Sequence, residues 1–546
     1  MSVAKSSFIF SAGTLLSRVS GVLRESVIGA VFGAGIYMDA YLVAFRIPNL
    51  LRDLLAEGAL GSSFTKVYAS VCVTNQESAS KLLIQTLQFV VMVSVAICSL
   101  GIFFADDLVS MMTVFNSSSS TGEFREITTS LTKVLFPFIG FAAFGAVIQG
   151  ALYQRGGFFL AGVAPILFNF FSIIGALWLA PLFQKFSQSS PNLPIDPGIM
   201  GLAVGTLLGG AAQSGIQAWG VWKPLLAGKK LWPHEWPWSS DVKKVLWLMT
   251  PMVVAASAGQ VNAIVNTNFA TSLGPGAVTW ISFAFRLVQL PIGMFGVAVG
   301  AAVLPALSKS ITEANGRVDE KASREVINAM DLVAWLMIPC TLALTLSSTN
   351  ITRLLYEAGR FKAIDTTATA IAIEAYSYGL LGYGLLKVMN SYYYATGRTR
   401  FPMVIGLISI AGNYIANSLL VQEFGHKGLA VTASIMLSFN SLMLISGMVR
   451  DKVHVNWKQV FSSAALLFFA SVVTIVAHHI YNPTISAFSI GPLVGIPSGT
   501  ALLKIDSTIR LSVDSIVIIG LFGTVGLARI KKTPKDALRM LKRRKN

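Results

Sequence analysis

Apolar runs of about 18 or more residues recur along the whole chain, separated by short polar stretches, which is the pattern of membrane-spanning helices. About fourteen spans are predicted, near 7–32, 38–65, 82–105, 128–152, 157–181, 198–222, 245–271, 278–307, 327–349, 367–394, 402–421, 428–449, 460–480 and 511–530. The predicted class is an all-α polytopic membrane protein. Composition agrees: of 546 residues 54% are hydrophobic and 12% charged, against about one-quarter charged in an ordinary soluble domain.

The formal charge of +17 invites a nucleic-acid reading, but its placement argues against one. With the N-terminus in the cytoplasm, about 27 of the 42 Lys and Arg fall in inner loops and tails and about 8 on the outer side. That asymmetry is the positive-inside rule; it puts both termini in the cytoplasm and leaves no nucleic-acid partner to invoke. The basic end KKTPKDALRMLKRRKN reads equally as contact with anionic membrane lipids or as a topology anchor. The first apolar run lacks a small-residue cleavage site and is expected to be retained. Cys72, Cys98 and Cys340 show no metal-ligand spacing and read as reduced core residues. There is no HExxH pattern and no Walker A loop, so neither zinc chemistry nor ATP hydrolysis is expected, and no catalytic residue or cofactor is assigned.

The chain is internally duplicated. FGAGIYMDAYLVAFR (32–46) matches LGPGAVTWISFAFR (273–286), ALGSSF (59–64) matches AVGAAV (298–303), and Gly140, Gly145 and Tyr153 share the spacing of Gly379, Gly384 and Tyr392. All three fall at an offset of about 240 residues. A repeat of six spans keeps its orientation, so the two copies are parallel lobes around a central cavity, with two later spans added. The predicted organisation is residues 1–222 as the first lobe, 223–244 as an interfacial linker and 245–449 as the second lobe. Residues 450–530 then hold the last two spans and 531–546 a basic tail.

Charges inside spans single out the candidate site. Each costs about 2.5–3.5 kcal/mol at a helix centre, yet Arg18, Arg24, Arg46, Arg52 and Arg286 all lie in spans. In DAYLVAFRIPNLLRDLLAEGAL (39–60), Arg46, Asn49, Asp53 and Glu57 fall on one helical face, with Arg52 bordering it. Asp53 and Glu57 are expected to offset part of the arginine charge, Pro48 to bend the helix, and a break at Gly21 to aim Arg18 and Arg24 inward. A cluster of arginines in an apolar surround suits phosphate or diphosphate, since the guanidinium fork donates paired hydrogen bonds and stays charged. The alternative is an ion-pair network that only joins helices, and the residues leave it open, most of all for Arg46 with Asp53.

SRVSGVLRE (17–25), FGAG and MDA (32–40), FRIPNLLRDLLAEGA (45–59) and FRLVQLPIGMFGVAVGAAVLPALSKS (285–310) resemble the MurJ/MviN lipid II flippases of the multidrug/oligosaccharidyl-lipid/polysaccharide exporter superfamily. The resemblance implies alternating-access transfer of lipid II, the undecaprenyl-diphosphate-linked disaccharide-pentapeptide, to the outer leaflet of the bacterial inner membrane. It implies diphosphate contacts from Arg18, Arg24, Arg52 and Arg286, with Asp39 and Thr279 as further site residues, and a lipid-tail groove at the last two spans. Cell-wall synthesis proteins are the implied partners. Some members bind sodium, but the matching positions here are Asn266, Asn413 and Asn417, and the lack of a carboxylate argues against sodium coupling; membrane potential and protons remain open as energy sources. Glu374 and Lys387 are read as gating candidates, spaced too far apart to pair. Charge alone leaves room for another lipid-linked oligosaccharide as cargo. A membrane-embedded glycosyltransferase is disfavoured, because the adjacent acidic pair Asp106–Asp107 has no supporting motif.

Overall fold

The computed structural model describes residues 3–115, 121–188, 197–222, 238–451, 453–487 and 500–531, and among them every regular element is a helix. Residues 223–237 of the expected linker and 532–546 of the basic tail lie outside the described residues. Helix is the physical requirement here, since backbone groups in hydrocarbon find partners only within their own segment. Nine of the described helices are long and apolar enough to cross a membrane. Large apolar side chains such as Phe103, Trp178, Trp247, Phe468 and Ile516 face outward, as they do where the surrounding medium is lipid.

The chain divides into two compact units, Met1–Trp280 with Ala358–Asp365, and Ile281–Glu357 with Thr366–Asn546. In the first, α1 (Val3–Phe32) runs unbroken, and α2 (Ile36–Leu51) continues through a π-helical segment (Arg52–Leu60) into α3 (Gly61–Thr74). There follow α4 (Gln76–Phe103), α5 (Ala105–Met112), α6 (Thr121–Leu135), α7 (Phe138–Gln154), α8 (Phe158–Ile174), α9 (Ala180–Gln188), α10 (Pro197–Val221) and α11 (Ser240–Thr271). The expected break at Gly21 is absent; α1 packs along α8 there, and Asn169 Nδ2 donates to Ser17 O at 3.2 Å and Ser20 Oγ at 2.8 Å. The glycine admits the neighbouring helix instead of bending its own. Phe64, Tyr68, Leu83, Val147 and Val221 form a core that also takes in Val242 and Val245 of α11. This packing is why α11 belongs to the first unit although the repeat places it in the second copy.

In the second unit, α12 (Ala277–Pro291), which starts in the first, leads through a π segment (Ile292–Gly296) into α13 (Val297–Glu313). Then come α14 (Glu320–Leu346), α15 (Ser348–Tyr356), α16 (Ala363–Ser377), α17 (Leu380–Ala395), α18 (Arg400–Arg450), α19 (Trp457–Ala487) and α20 (Thr500–Lys531). Within α18, Gly425 has φ 57° and marks the corner between two predicted spans. The duplication reappears in irregularities. Two π segments begin at corresponding points, Arg52 and Ile292, with a third at Gly175–Leu179 between α8 and α9, and the α6/α7 and α16/α17 breaks fall at Phe136–Pro137 and Tyr378–Gly379. The two matched π segments follow a proline, Pro48 or Pro291, whose missing N–H loosens the helical ladder.

The last two helices carry a buried polar knot. Asp514, 2% exposed, accepts hydrogen bonds from Ser347 Oγ and Tyr481 Oη, and lies 2.8 Å from His478 Nδ1. With Leu467, Ile518 and Phe522 packed against Trp335, it joins α19 and α20 to α14. Asp514→Asn keeps the volume but removes a charged acceptor, so a stability loss of about 1–3 kcal/mol is expected. Thermal unfolding in detergent checks this; an unchanged midpoint would contradict it.

Candidate functional site

The π segment after Arg52 changes which side chains meet. The face expected for Arg46, Asn49, Asp53 and Glu57 runs from α2 into this wider winding, and there Asp53 accepts from its neighbour Arg52. Arg52 Nε and Nη2 donate to Asp53 Oδ1 at 3.1 and 2.8 Å. Arg24 is arranged likewise: Nη2 donates to Glu25 Oε1 at 3.0 Å, with the two side chains 12% and 7% exposed. Its Nε is buried with no hydrogen-bond partner among the described residues.

Both guanidinium groups lie over one aromatic cluster. Arg24 Cζ is 5.3 Å from the Phe168 ring centre and Arg52 Cζ 5.9 Å from that of Phe138. Phe138 and Phe168 lie 5.6 Å apart, and Phe45 packs on them at 5.1 and 6.2 Å. Cation–π attraction of about 0.5–2 kcal/mol per pair holds each planar fork against a ring without consuming its N–H donors. Arg24 and Arg52, far apart in sequence, are thus held on connected rings. Sequence reasoning missed Glu25 and the three phenylalanines.

A second constellation joins the starts of α2 and α12. Asp39, 2% exposed, accepts from Gly276 N at 2.6 Å, Thr279 N at 2.8 Å and Thr279 Oγ1 at 2.5 Å. It caps the N-terminus of α12, where unpaired N–H groups and the helix dipole favour a carboxylate. Thr279 stands 240 positions after Asp39 and is its counterpart in the repeat, so the contact links corresponding positions of the two copies. Trp280 Nε1 donates to Asp365 Oδ1 at 3.0 Å, and Arg360 N donates to Ala30 O at 2.8 Å, which packs residues 358–365 onto the same end. Gly33 (φ 69°) and Gly359 (φ 56°) are needed here. A Cβ on Gly33 would sit 2.7 Å from Arg360 O, and one on Gly359 2.2 Å from Ala30 O.

Arg18, Arg46 and Asn49 are half-buried in the first unit; the side chain of Glu57 lies outside the described residues. Arg286 is exposed on α12 in the second unit. Of the asparagines weighed as cation ligands, Asn266 belongs to the first unit and the buried Asn413 and Asn417 to the second. No group of three or more His, Cys, Asp or Glu among the described residues could hold a metal. Glu374 accepts from Tyr378 Oη at 2.6 Å, while Lys387 Nζ lies 5.1 Å from the Tyr383 ring centre. Asp106 is engaged by Arg125, whose hydrogen bond holds its exposed carboxyl below the usual range; that suits a structural anion better than a general acid.

Residues 28–494 match the family profile described as "Lipid II flippase MurJ". The chain is 33% identical over 459 residues to "Lipid II flippase MurJ" of Burkholderia cenocepacia, covering 83% of this chain and 85% of that one. It is 30% identical over 485 residues to "Probable lipid II flippase MurJ" of Vibrio cholerae, covering 86% and 87%. Among solved structures, "Lipid II flippase MurJ, inward closed conformation" superimposes with a TM-score of 0.74 at 21% identity, over 97% of this chain and 100% of that one. An inward-facing multidrug resistance MATE family transporter of the MOP superfamily gives a TM-score of 0.64 at 15% identity, over 82% and 98%.

Proposed function

From the premise that the chain belongs to the lipid II flippase MurJ family, we propose that it moves lipid II from the inner to the outer leaflet of the bacterial inner membrane. The duplicated architecture supports alternating access, which opens a site first to one face of the membrane and then to the other. The positive-inside asymmetry supports cytoplasmic termini. Within the first unit, Arg24 and Arg52 bind the diphosphate.

The single observation that carries this assignment is the placement of both guanidinium groups over connected phenylalanine rings, with Arg24 Nε buried and unpartnered among the described residues. The rings fix the forks and lower the local dielectric, which strengthens charge-assisted bonds to phosphate oxygens. Glu25 and Asp53 neutralise the arginines while no ligand is bound, and so lessen the cost of burying them. A diphosphate takes over part of that pairing and is released when the counter-ions reclaim it. Arg18 in the first unit and Arg286 in the second are proposed as further phosphate contacts. The cargo leaves chemically unchanged.

Expression in bacteria depleted of their own lipid II flippase tests the reading, using a membrane-impermeant lipid II-cleaving enzyme to measure lipid II in the outer leaflet. Restoration of cleavable lipid II is expected. A well-expressed protein that restores none overturns the assignment and points to another lipid-linked oligosaccharide.

A further inference from the structure

At one end of the first unit, the first turns of α3 and α8 and the C-terminal turns of α7 and α10 line a cavity of about 720 Å³. Its polar lining is dominated by neutral amides: Gln149, Gln154, Gln213 and Gln217, beside Tyr153, with Lys66 as the one charged group among the described residues. Gln217 is 2% exposed, lines the cavity and makes no hydrogen bond among the described residues. Gln213, half-buried one helical turn earlier, is also without a partner among them. Gln149 Nε2 donates to Tyr153 Oη at 2.7 Å, which orients those two groups along the wall. Gly145 makes room for the buried amide, since a Cβ there would stand 3.1 Å from Gln217 Oε1 and 3.2 Å from Ser214 Oγ.

We propose that this cavity is a subsite for the neutral, amide-bearing part of the transported headgroup, an inference that rests on the flippase reading above. A glutamine side chain offers two donors and an acceptor, the complement of an acetamido or peptide group. Phosphate only accepts, and one lysine among four glutamines makes a poor phosphate site. The spacing also fits. Phe138, the ring beneath Arg52, and Gln149 lie on the same helix about eleven residues apart, or about 16 Å at 1.5 Å per residue. A five-residue peptide extends to about 17 Å, so a headgroup whose diphosphate sits on the arginines reaches the amides. The acetamido groups of the sugars and the peptide bonds share this chemistry, and the test separates them.

Binding is measured on the purified full-length chain in nanodiscs with three probes: lipid II, the undecaprenyl-diphosphate-linked disaccharide without peptide, and undecaprenyl diphosphate. The wild type is expected to bind lipid II at least about tenfold more tightly than undecaprenyl diphosphate. Gln217→Met should weaken lipid II binding by about five- to tenfold, the scale of one lost hydrogen bond, and leave undecaprenyl diphosphate binding unchanged. Gln213→Leu, at a half-buried position, carries the same test if the first variant fails to fold. Weakening with both sugar-bearing lipids assigns the contact to the sugars, and weakening with lipid II alone assigns it to the peptide; either supports the subsite. Lipid II affinity unchanged in both variants, or equal wild-type affinity for lipid II and undecaprenyl diphosphate, overturns the subsite while leaving the flippase reading intact. A wild type that binds none of the three overturns both.

Discussion

Replacing Arg24 and Arg52 together with alanine is expected to reduce outer-leaflet lipid II to near the level of the depleted strain, at unchanged membrane abundance. Each charge-assisted hydrogen bond to phosphate contributes about 1.5–3 kcal/mol. Losing two weakens engagement by on the order of a hundredfold or more, at 1.4 kcal/mol per tenfold. The lysine variants separate phosphate binding from simple helix joining. Lysine keeps the charge but loses the planar fork and its stacking on Phe138 and Phe168. Arg24→Lys and Arg52→Lys should therefore retain partial flipping while remaining as stable as the wild type to within about 1–2 kcal/mol. If the arginines served only to pair with Glu25 and Asp53, the alanine variants would lose thermal stability and keep transporting. Full transport by the double alanine variant would exclude the site.

How far the chain could be read in advance depends on how each feature is encoded. The all-helical membrane class and the duplication were legible because hydropathy and the recurrent Gly-x-Gly and Ala-Phe-Arg signatures are local patterns, and the π segments at Arg52 and Ile292 fall at corresponding points of the two copies. The π winding itself was not legible: Pro48 signals a loosened ladder but not how the helix absorbs it, so the face drawn through Arg46, Asn49, Asp53 and Glu57 assumed a uniform pitch. The phenylalanine cluster was hidden for another reason. Phe45, Phe138 and Phe168 come from three helices, and a phenylalanine in a span carries no mark that distinguishes a cation platform from lipid-facing surface. Glu25 adjoins Arg24 in sequence, but adjacency on a helix does not by itself imply a contact, since neighbouring side chains do not face each other. The packing of α11 into the first unit is likewise a tertiary fact, decided by Val242 and Val245 meeting the Phe64–Tyr68 core.

The contact between Asp39 and Thr279 lies between those extremes, since the repeat offset pairs these positions although no local motif does. Asp39→Ala is expected to destabilise the capped arrangement by on the order of 3–5 kcal/mol. Two backbone N–H groups and one hydroxyl lose a buried acceptor, each costing about 1–3 kcal/mol when left unmade, and the start of α12 loses a favourable charge worth up to about 2 kcal/mol. The terms overlap and do not add in full. Asp39→Asn retains an acceptor oxygen and should cost about half as much. Thr279→Val removes one hydroxyl donor and should cost about 1 kcal/mol. Hydrogen exchange over residues 33–40 and 274–280 reads this directly, and the alanine variant should exchange on the order of a hundredfold faster there. A cap that only builds the fold would raise exchange across the whole first unit. A cap that holds one state of a transport cycle would raise it at this end alone and lower flipping in step, because a site that must open cannot be held by contacts too strong to release. Unchanged exchange at both segments would mean that the three hydrogen bonds to Asp39 contribute little to holding the starts of α2 and α12 together.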